Sequence, residues 1–441
     1  MILKYLMKPG LKVKRWIASG IISIIILSLV IAELLNTGFV NKIYSMILIL
    51  LGLVSILVIM VSISESFKAV VSILNSKNIK VTVNKADIEE LIEQDTVTVR
   101  GPKIVVIGGG TGLSTMLRGL KAYTSNITAI VTVGDDGGGS GKLRADLGML
   151  PPGDIRSCML ALANTEPVME DLLQYRFPEG TLKGQSFGNL FLAAMDGISD
   201  NFEEAVQKMS SVLSVSGKIL PVTLDDMKLI AKLENGNLIE GESRIPDEVV
   251  EQDSRICELS IEPKNAKPLI DALIAIDEAD AIIMGPGSLY TSIISNLLVN
   301  DIPEAVQRSK AIKIYVSNVM TQPGETHDFK VSDHVKTLLK YSGKDSVDYV
   351  IANNGNISEE MKEKYLKKGS QLVELDKEAT ENLGVEVIET DLVKIEKGYV
   401  KHDTDNLAVV LMATTLEKKL MYDKKKIIEY MYLSRKVDKN N

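Results

Sequence analysis

Cysteine, histidine and tryptophan are scarce in this chain, and an excess of basic charge is missing altogether. Its 441 residues include 2 Cys, 3 His and 1 Trp, with 50 Lys and Arg against 58 Asp and Glu, a net charge of −8. Cys158 and Cys257 stand far apart without ligand-type spacing, so neither a disulfide framework nor a zinc site is suggested, and a reducing cytosol fits. Cys158 lies in the apolar run MLALA, where a buried thiol serves as a small hydrophobe. His327, His334 and His402 leave few candidates for imidazole catalysis. The acidic balance gives no electrostatic footprint for a nucleic-acid polymer, while a small phosphorylated ligand remains compatible with it.

Two long runs lack charge. Trp16 to Ala32 is mostly Ile, Leu, Ser and Val, and Ile43 to Ser64 is richer still in aliphatics. Each suits a crossing of ~30 Å of hydrocarbon at ~1.5 Å per residue. Lys4, Lys8, Lys12, Lys14 and Arg15 precede the first run and Lys68, Lys77 and Lys80 follow the second, whereas the link between them holds Glu33 and Lys42. The positive-inside rule then puts both ends in the cytoplasm. A signal peptide is disfavoured by the absence of a small-x-small cleavage site and by the second span. The expectation is a basic N-terminus over residues 1–15, a two-helix transmembrane hairpin over 16–64, a juxtamembrane linker over 65–98 with a helix at ADIEELIEQ, and a cytoplasmic domain over 99–441.

Beyond Val99, short aliphatic runs alternate with helical patterns: IVVIG and LSTMLRGLKAY, ITAIVTVG and GDIRSCMLALAN, ADAIIMG and LYTSIISNLLV, AIKIYVSN and VSDHVKTLLKY, VDYVIANN and EEMKEKYLKK. Strands that are apolar throughout are buried on both faces, which predicts an α/β, Rossmann-like, doubly wound and mainly parallel sheet. The alternation and Asn-Gly-Asn turn in VTLDDMKLIAKLENGNLIEGES predict a β-hairpin insertion at about 218–262.

Glycine-rich turns close several of these strands. Gly109, Gly110, Thr111 and Gly112 separate a strand from a helix, where bare backbone and unpaired N–H groups suit a phosphate; a close strand-to-helix crossing is the structural alternative. The fingerprint G-x-G-x-x-G is only half met, with Leu113 or Thr115 at the last position, which disfavours an NAD-dependent oxidoreductase. Asp135 and Asp136, in GDDGGGSG with Ser140, would bind hydroxyls or hold Mg²⁺. Arg144, and Arg156 beyond the turn containing Asp154, are either phosphate clamps or salt-bridge residues. Asn189 follows Ser186, a candidate helix cap. Gly285, Gly287, Ser288, Tyr290 and Thr291 repeat the opening logic, offering a second anion-receiving helix terminus and a ring to pack on a base or sugar. Asn318, Thr321, Gly324 and Glu325 form a polar loop in which Glu325 and His327 are the carboxylate–imidazole candidates for acid–base work.

Taken in order, GGGTG, DDGGGSGKLR, GMLPPGDIR, SFGNL, GPGSLYTS and NVMTQPGET closely resemble the gluconeogenesis factor, or YvcK-like, family, itself similar in fold to the 2-phospho-L-lactate transferases (CofD-like). The likeness covers about Lys103 to Ala413. It implies a cleft for a nucleotide sugar such as UDP-N-acetylglucosamine or UDP-glucose, lined by the residues just named, and a role linking carbon supply to cell-wall synthesis and cell shape. A binding regulator that signals to a protein partner is the reading implied first, with a CofD-like transferase as the alternative, and homo-oligomers are an open expectation. Gln185 stands where a histidine is expected in the family's GHSFGN-like segment, and many members lack the hydrophobic hairpin, which here would hold the domain at the cell membrane.

Overall fold

The computed structural model describes residues 13–37, 42–74 and 101–419. The expected helix at ADIEELIEQ and the basic residues Lys4, Lys8, Lys12, Lys77 and Lys80 lie outside them. The chain divides into two compact units, Met1–Thr98 and Val99–Asn441.

In the first unit, two helices, Val13–Thr37 and Lys42–Leu74, pack against each other. Their buried positions are Ser23 and Val30 in one, and Leu48, Ser55 and Ser62 in the other, repeating every seven residues, with Gly52 against Val30 and Leu27. A seven-residue repeat is what keeps a seam facing its neighbour along paired helices. Large apolar side chains, among them Ile22, Leu29, Met46, Leu50 and Leu57, point outward and are more than half exposed. Among the described residues no helix is long and apolar enough to cross a membrane.

The second unit is built on a seven-stranded sheet in which every pairing is parallel. Its strands are β1 (Ile104–Gly108), β2 (Ile127–Val131), β3 (Lys218–Pro221), β7 (Ala281–Met284), β8 (Ile312–Val316), β9 (Tyr349–Asn353) and β10 (Glu386–Thr390), in the order β10-β9-β8-β7-β1-β2-β3. Every residue of β1, β7 and β8 is buried, as helices on both faces require. From β1 the chain first builds outward through β2 and β3, then returns to β1's other side at β7 and builds the opposite way. The strand order therefore reverses between β1 and β7, where a doubly wound sheet opens a crevice beyond its carboxyl ends.

The expected insertion differs in extent and form. Lys218–Pro221, read as its start, is the edge strand β3, paired with Thr128–Val131 and buried from Ile219 onward. Beyond β3 the chain forms a three-stranded antiparallel sheet, β4 (Lys228–Leu233), β5 (Leu238–Glu240) and β6 (Ile256–Glu262), carrying a helix at Ile245–Glu251. A hairpin alone leaves one apolar face bare, and the third strand supplies Leu259 and Ile261 to the buried side beside Leu229 and Ala231. Sequence periodicity also passed over β10 and a hairpin of β11 (Val393–Glu396) and β12 (Tyr399–His402), whose turn places Lys397 and Gly398 at positive φ.

Candidate functional site

At the reversal point the turns after β1 and β7 touch through bare backbone. A Cβ on Gly112 would stand 2.5 Å from the Pro286 carbonyl oxygen, and one on Gly109 2.6 Å from Asp154 Oδ2 and 2.7 Å from Thr132 Cγ2. Gly110 has a φ of 67°. The close-crossing alternative is therefore met at Gly109 and Gly112, and the same approach leaves open a cleft of about 350 Å³. Its walls combine Gly109–Gly112, Pro286–Ser288, Asn318 and Gln322 with Val400, Lys401 and His402 of β12. Asn318 Nδ2 donates to Gln322 Oε1 at 3.1 Å and Gln322 Nε2 to Ser288 Oγ at 2.9 Å, tying the β8 loop to the β7 turn.

The helix terminus after Gly285 and Gly287 already has an anion. Glu325 accepts from the backbone N–H of Tyr290 at 3.0 Å and of Thr291 at 3.4 Å, and from Thr291 Oγ1 at 2.9 Å. Burial pushes its carboxyl up, and these donors oppose the shift. Tyr290 packs in the core with its hydroxyl toward Thr337, which takes its ring away from any ligand base or sugar. The Glu325–His327 pair does not assemble: Glu325 is buried, whereas His327 is exposed and reaches Asp328 at 3.3 Å. Thr321 and Gly324 hold the β8 loop in place. Thr321 Oγ1 accepts from the N–H of Gln371 at 3.0 Å, and Gly324, with a φ of 83°, lies against Pro246 of the helix Ile245–Glu251 that the inserted sheet carries.

Both arginines are likewise occupied. Arg144 Nη2 pairs with Asp226 at 2.5 Å and donates to the Met227 carbonyl at 2.7 Å, strapping the inserted sheet to the domain. Arg156 donates weakly to Ser157 Oγ and to the Leu173 carbonyl at 3.3 and 3.4 Å, its stem beside Gly188. Arg144 Nη1 and Arg156 Nε are buried without a partner.

A carboxylate basin lies beyond the end of β2. Asp135 Oδ1 accepts from the Gly137 N–H and Asp136 Oδ1 from the Ser243 N–H, both at 2.9 Å. Asp154 accepts from the N–H of Gly110, so the first glycine turn also donates to an internal carboxylate; burial and Asp135 raise Asp154 to about 6. Glu242, between Gly241 and Ser243 of the inserted sheet, enters the same field, and burial followed by Asp135, Glu325, Asp154 and Asp136 lifts it to about 8. Ser140 is buried beside Gly153. Ser186 caps the helix Phe187–Gly197 by accepting from the Asn189 N–H at 3.2 Å, which fixes Asn189 at the first turn. Asp136 is turned to the inserted sheet, and among the described residues no group of three or more His, Cys, Asp or Glu is placed to hold a metal ion. Sequence reasoning missed Glu242 and the β12 residues; the Lys397-Gly398 turn could have signalled β12, whereas nothing local marks Glu242.

A family model described as 2-phospho-L-lactate transferase CofD matches residues 104–393. A Clostridium acetobutylicum protein named "Putative gluconeogenesis factor" is 55% identical over 98% of this chain and 96% of its own length. The chain belongs to the CofD family, among its gluconeogenesis factors. Within it, the Bacillus subtilis "Gluconeogenesis factor" is 47% identical, matching 70% of this chain and 97% of its own length. A crystal structure of a upf0052 family member from Bacillus halodurans is 43% identical with a TM-score of 0.67, covering 70% of this chain and 98% of its own.

Two substitutions test this geometry. Gly112→Ala drives a methyl into the Pro286 backbone and is expected to cost about 2–4 kcal/mol, against about 1 for Gly180→Ala, whose Cβ meets open space. Equal losses in thermal melts would contradict the close approach. Because the folded state raises the Glu242 pKa, the stability it contributes is present below the ordinary carboxylate range and is lost as pH rises through about 8. Glu242→Gln is therefore expected to melt like the parent at pH 5 and several degrees higher at pH 9; parallel pH profiles would contradict the burial.

Proposed function

We propose that this chain is a membrane-tethered, nucleotide-sugar-binding regulator of cell-wall precursor flux and cell shape, acting through ligand-dependent contact with a protein partner. The single observation that carries the binding reading is the cleft at the strand reversal, where bare backbone on two turns meets the amides of Asn318 and Gln322. Thr111 and Gly112 open the helix Gly110–Leu120, and the N–H groups of a helix's first turn, with its positive dipole end, suit a diphosphate. General-base chemistry is sparse there: His402 is half-buried with Nε2 against the Ser317 carbonyl at 3.1 Å, and desolvation lowers its pKa, keeping it neutral. The gluconeogenesis factor name of the relatives supports a role in carbon supply.

A CofD-like transferase, moving a phospholactyl-type group from a nucleotide diphosphate, is the second reading. It draws on the family model's own description and on Asp154, whose carboxyl, raised by burial and by Asp135, lies against Gly109 of the cleft. Calorimetric titration with UDP-N-acetylglucosamine is expected to give saturable binding without turnover. Absence of binding at millimolar ligand refutes the first reading, and product from lactyl diphosphoguanosine with a deazaflavin acceptor establishes the second.

The tether rests on the first unit's inverted polarity. Serines and a glycine occupy its seam while Ile, Leu and Met face outward, the pattern expected when lipid is the solvent and small residues let helices approach. The flanking lysines support the reading of multi-pass insertion with the larger unit in the cytoplasm. The full chain is expected to stay with membranes through alkaline carbonate washing, and residues 99–441 alone to be released. Release of the full chain would contradict the tether.

A further inference from the structure

We infer that Ser292, whose hydroxyl the fold leaves unbonded between the two glycine turns, is a phosphate-binding residue of the cleft. The inference rests on the nucleotide-sugar reading and names a side chain that receives the ligand's phosphates.

Three aliphatic hydroxyls lie in the segment SLYTS that follows the β7 turn, on Ser288, Thr291 and Ser292. Two of them are spent inside the protein. Ser288 Oγ accepts from Gln322 Nε2 at 2.9 Å and, like Thr291 Oγ1, serves the buried carboxylate of Glu325. Ser292 is 9% exposed, and its Oγ makes no hydrogen bond among the described residues. It lines the cleft. Cβ atoms on Gly110 and Gly287 would stand 3.8 and 3.9 Å from that oxygen, so the missing side chains of both turns are what leave it uncovered.

The chain holds this hydroxyl firmly. The stretch that carries it is a π-helical turn, Leu289–Ile294, in which the Ile293 N–H donates to the Ser288 carbonyl at 3.1 Å. Such widened turns are rare and recur at functional sites. Asn296, fully buried, donates from Nδ2 to the Ser292 carbonyl at 2.7 Å and to the Gly108 carbonyl at 3.1 Å, which ties Ser292 to the end of β1. Ser295 Oγ lies 3.0 Å from Thr132 Oγ1, just past β2. Anchored to two central strands, Ser292 has little freedom left to lose when a ligand arrives.

Its surroundings select an anion. Among the described residues that line the cleft none is Asp or Glu, and Lys401 contributes a cation. At the helix Gly110–Leu120 the Gly110 N–H is already given to Asp154, whose carboxyl stands behind Gly109. A phosphate at this turn is therefore short of one donor, and Ser292 supplies one beside Gly110. A hydroxyl can rotate to donate to a phosphate oxygen, and charge-assisted bonds of that kind are roughly twice as strong as neutral ones.

The test is calorimetric titration of the full chain in detergent with UDP and with UDP-N-acetylglucosamine, comparing the parent with Ser292→Ala. Loss of one charge-assisted donor is expected to weaken both ligands alike, by about tenfold. Because the substitution removes no internal bond, the unliganded variant is expected to melt with the parent. Ser292→Cys, close in size but a weak donor, is expected to lose affinity severalfold, and it carries the test should Ser292→Ala fail to fold. Unchanged affinities in the folded variant overturn the assignment while leaving nucleotide binding in place. So does weakening confined to UDP-N-acetylglucosamine, which would put the hydroxyl on the sugar, or an unliganded variant that melts several degrees lower, which would give the hydroxyl a structural partner. A parent that binds neither ligand overturns the nucleotide-sugar reading and this assignment together.

Discussion

Two turns that meet without side chains set the terms for the rest of this domain. The approach of Gly112 to the Pro286 carbonyl, and of Gly109 to Asp154 and Thr132, fixes how the two halves of the sheet join. It places the bare backbone of the turn after β1 opposite the turn after β7, at the place where strand order reverses. Any larger residue at Gly112 forces those halves apart. The cleft is thus a by-product of the packing that closes the fold, and its position could not shift without remaking the sheet.

Around that junction the protein supplies its own anions. Glu325 occupies one helix terminus and Asp154 holds the Gly110 N–H, while Asp136 and Arg144 fasten the inserted sheet to the body through Ser243, Asp226 and Met227. Buried charges need such partners, and each of these carboxylates has found a donor. Glu242, half-buried in the field of four like charges, meets its cost by keeping a proton. The resulting site is short of imidazole and rich in backbone donors, chemistry suited to holding a phosphorylated ligand.

Much of this was legible in the sequence, for local reasons. IVVIG, ITAIV, AIIM, IKIYV and YVIAN are short, apolar throughout and bounded by turns, and all five became central parallel strands. The glycine turns were legible because missing side chains leave a mark in the alphabet itself. What stayed hidden depends on residues distant in sequence. Nothing near Glu325 says that it would cap Tyr290 and Thr291, and nothing in Gly241-Glu242-Ser243 distinguishes a solvent turn from one facing four carboxylates. Lys218–Pro221 reads equally well as an insertion hairpin or an edge strand; pairing with β2 decides it. Arg144 read as either a phosphate clamp or a salt-bridge residue because its partners, Asp226 and Met227, are more than eighty residues away.

The central claim is that backbone at the strand reversal receives the diphosphate of a nucleotide sugar. A crystal structure of the chain with UDP-N-acetylglucosamine tests it most directly. The account predicts phosphate oxygens against Thr111, Gly112 and the Pro286–Ser288 turn. Phosphates lodged elsewhere, such as the groove beside Arg118 and Asp403, with the glycine turns packed shut, would contradict it.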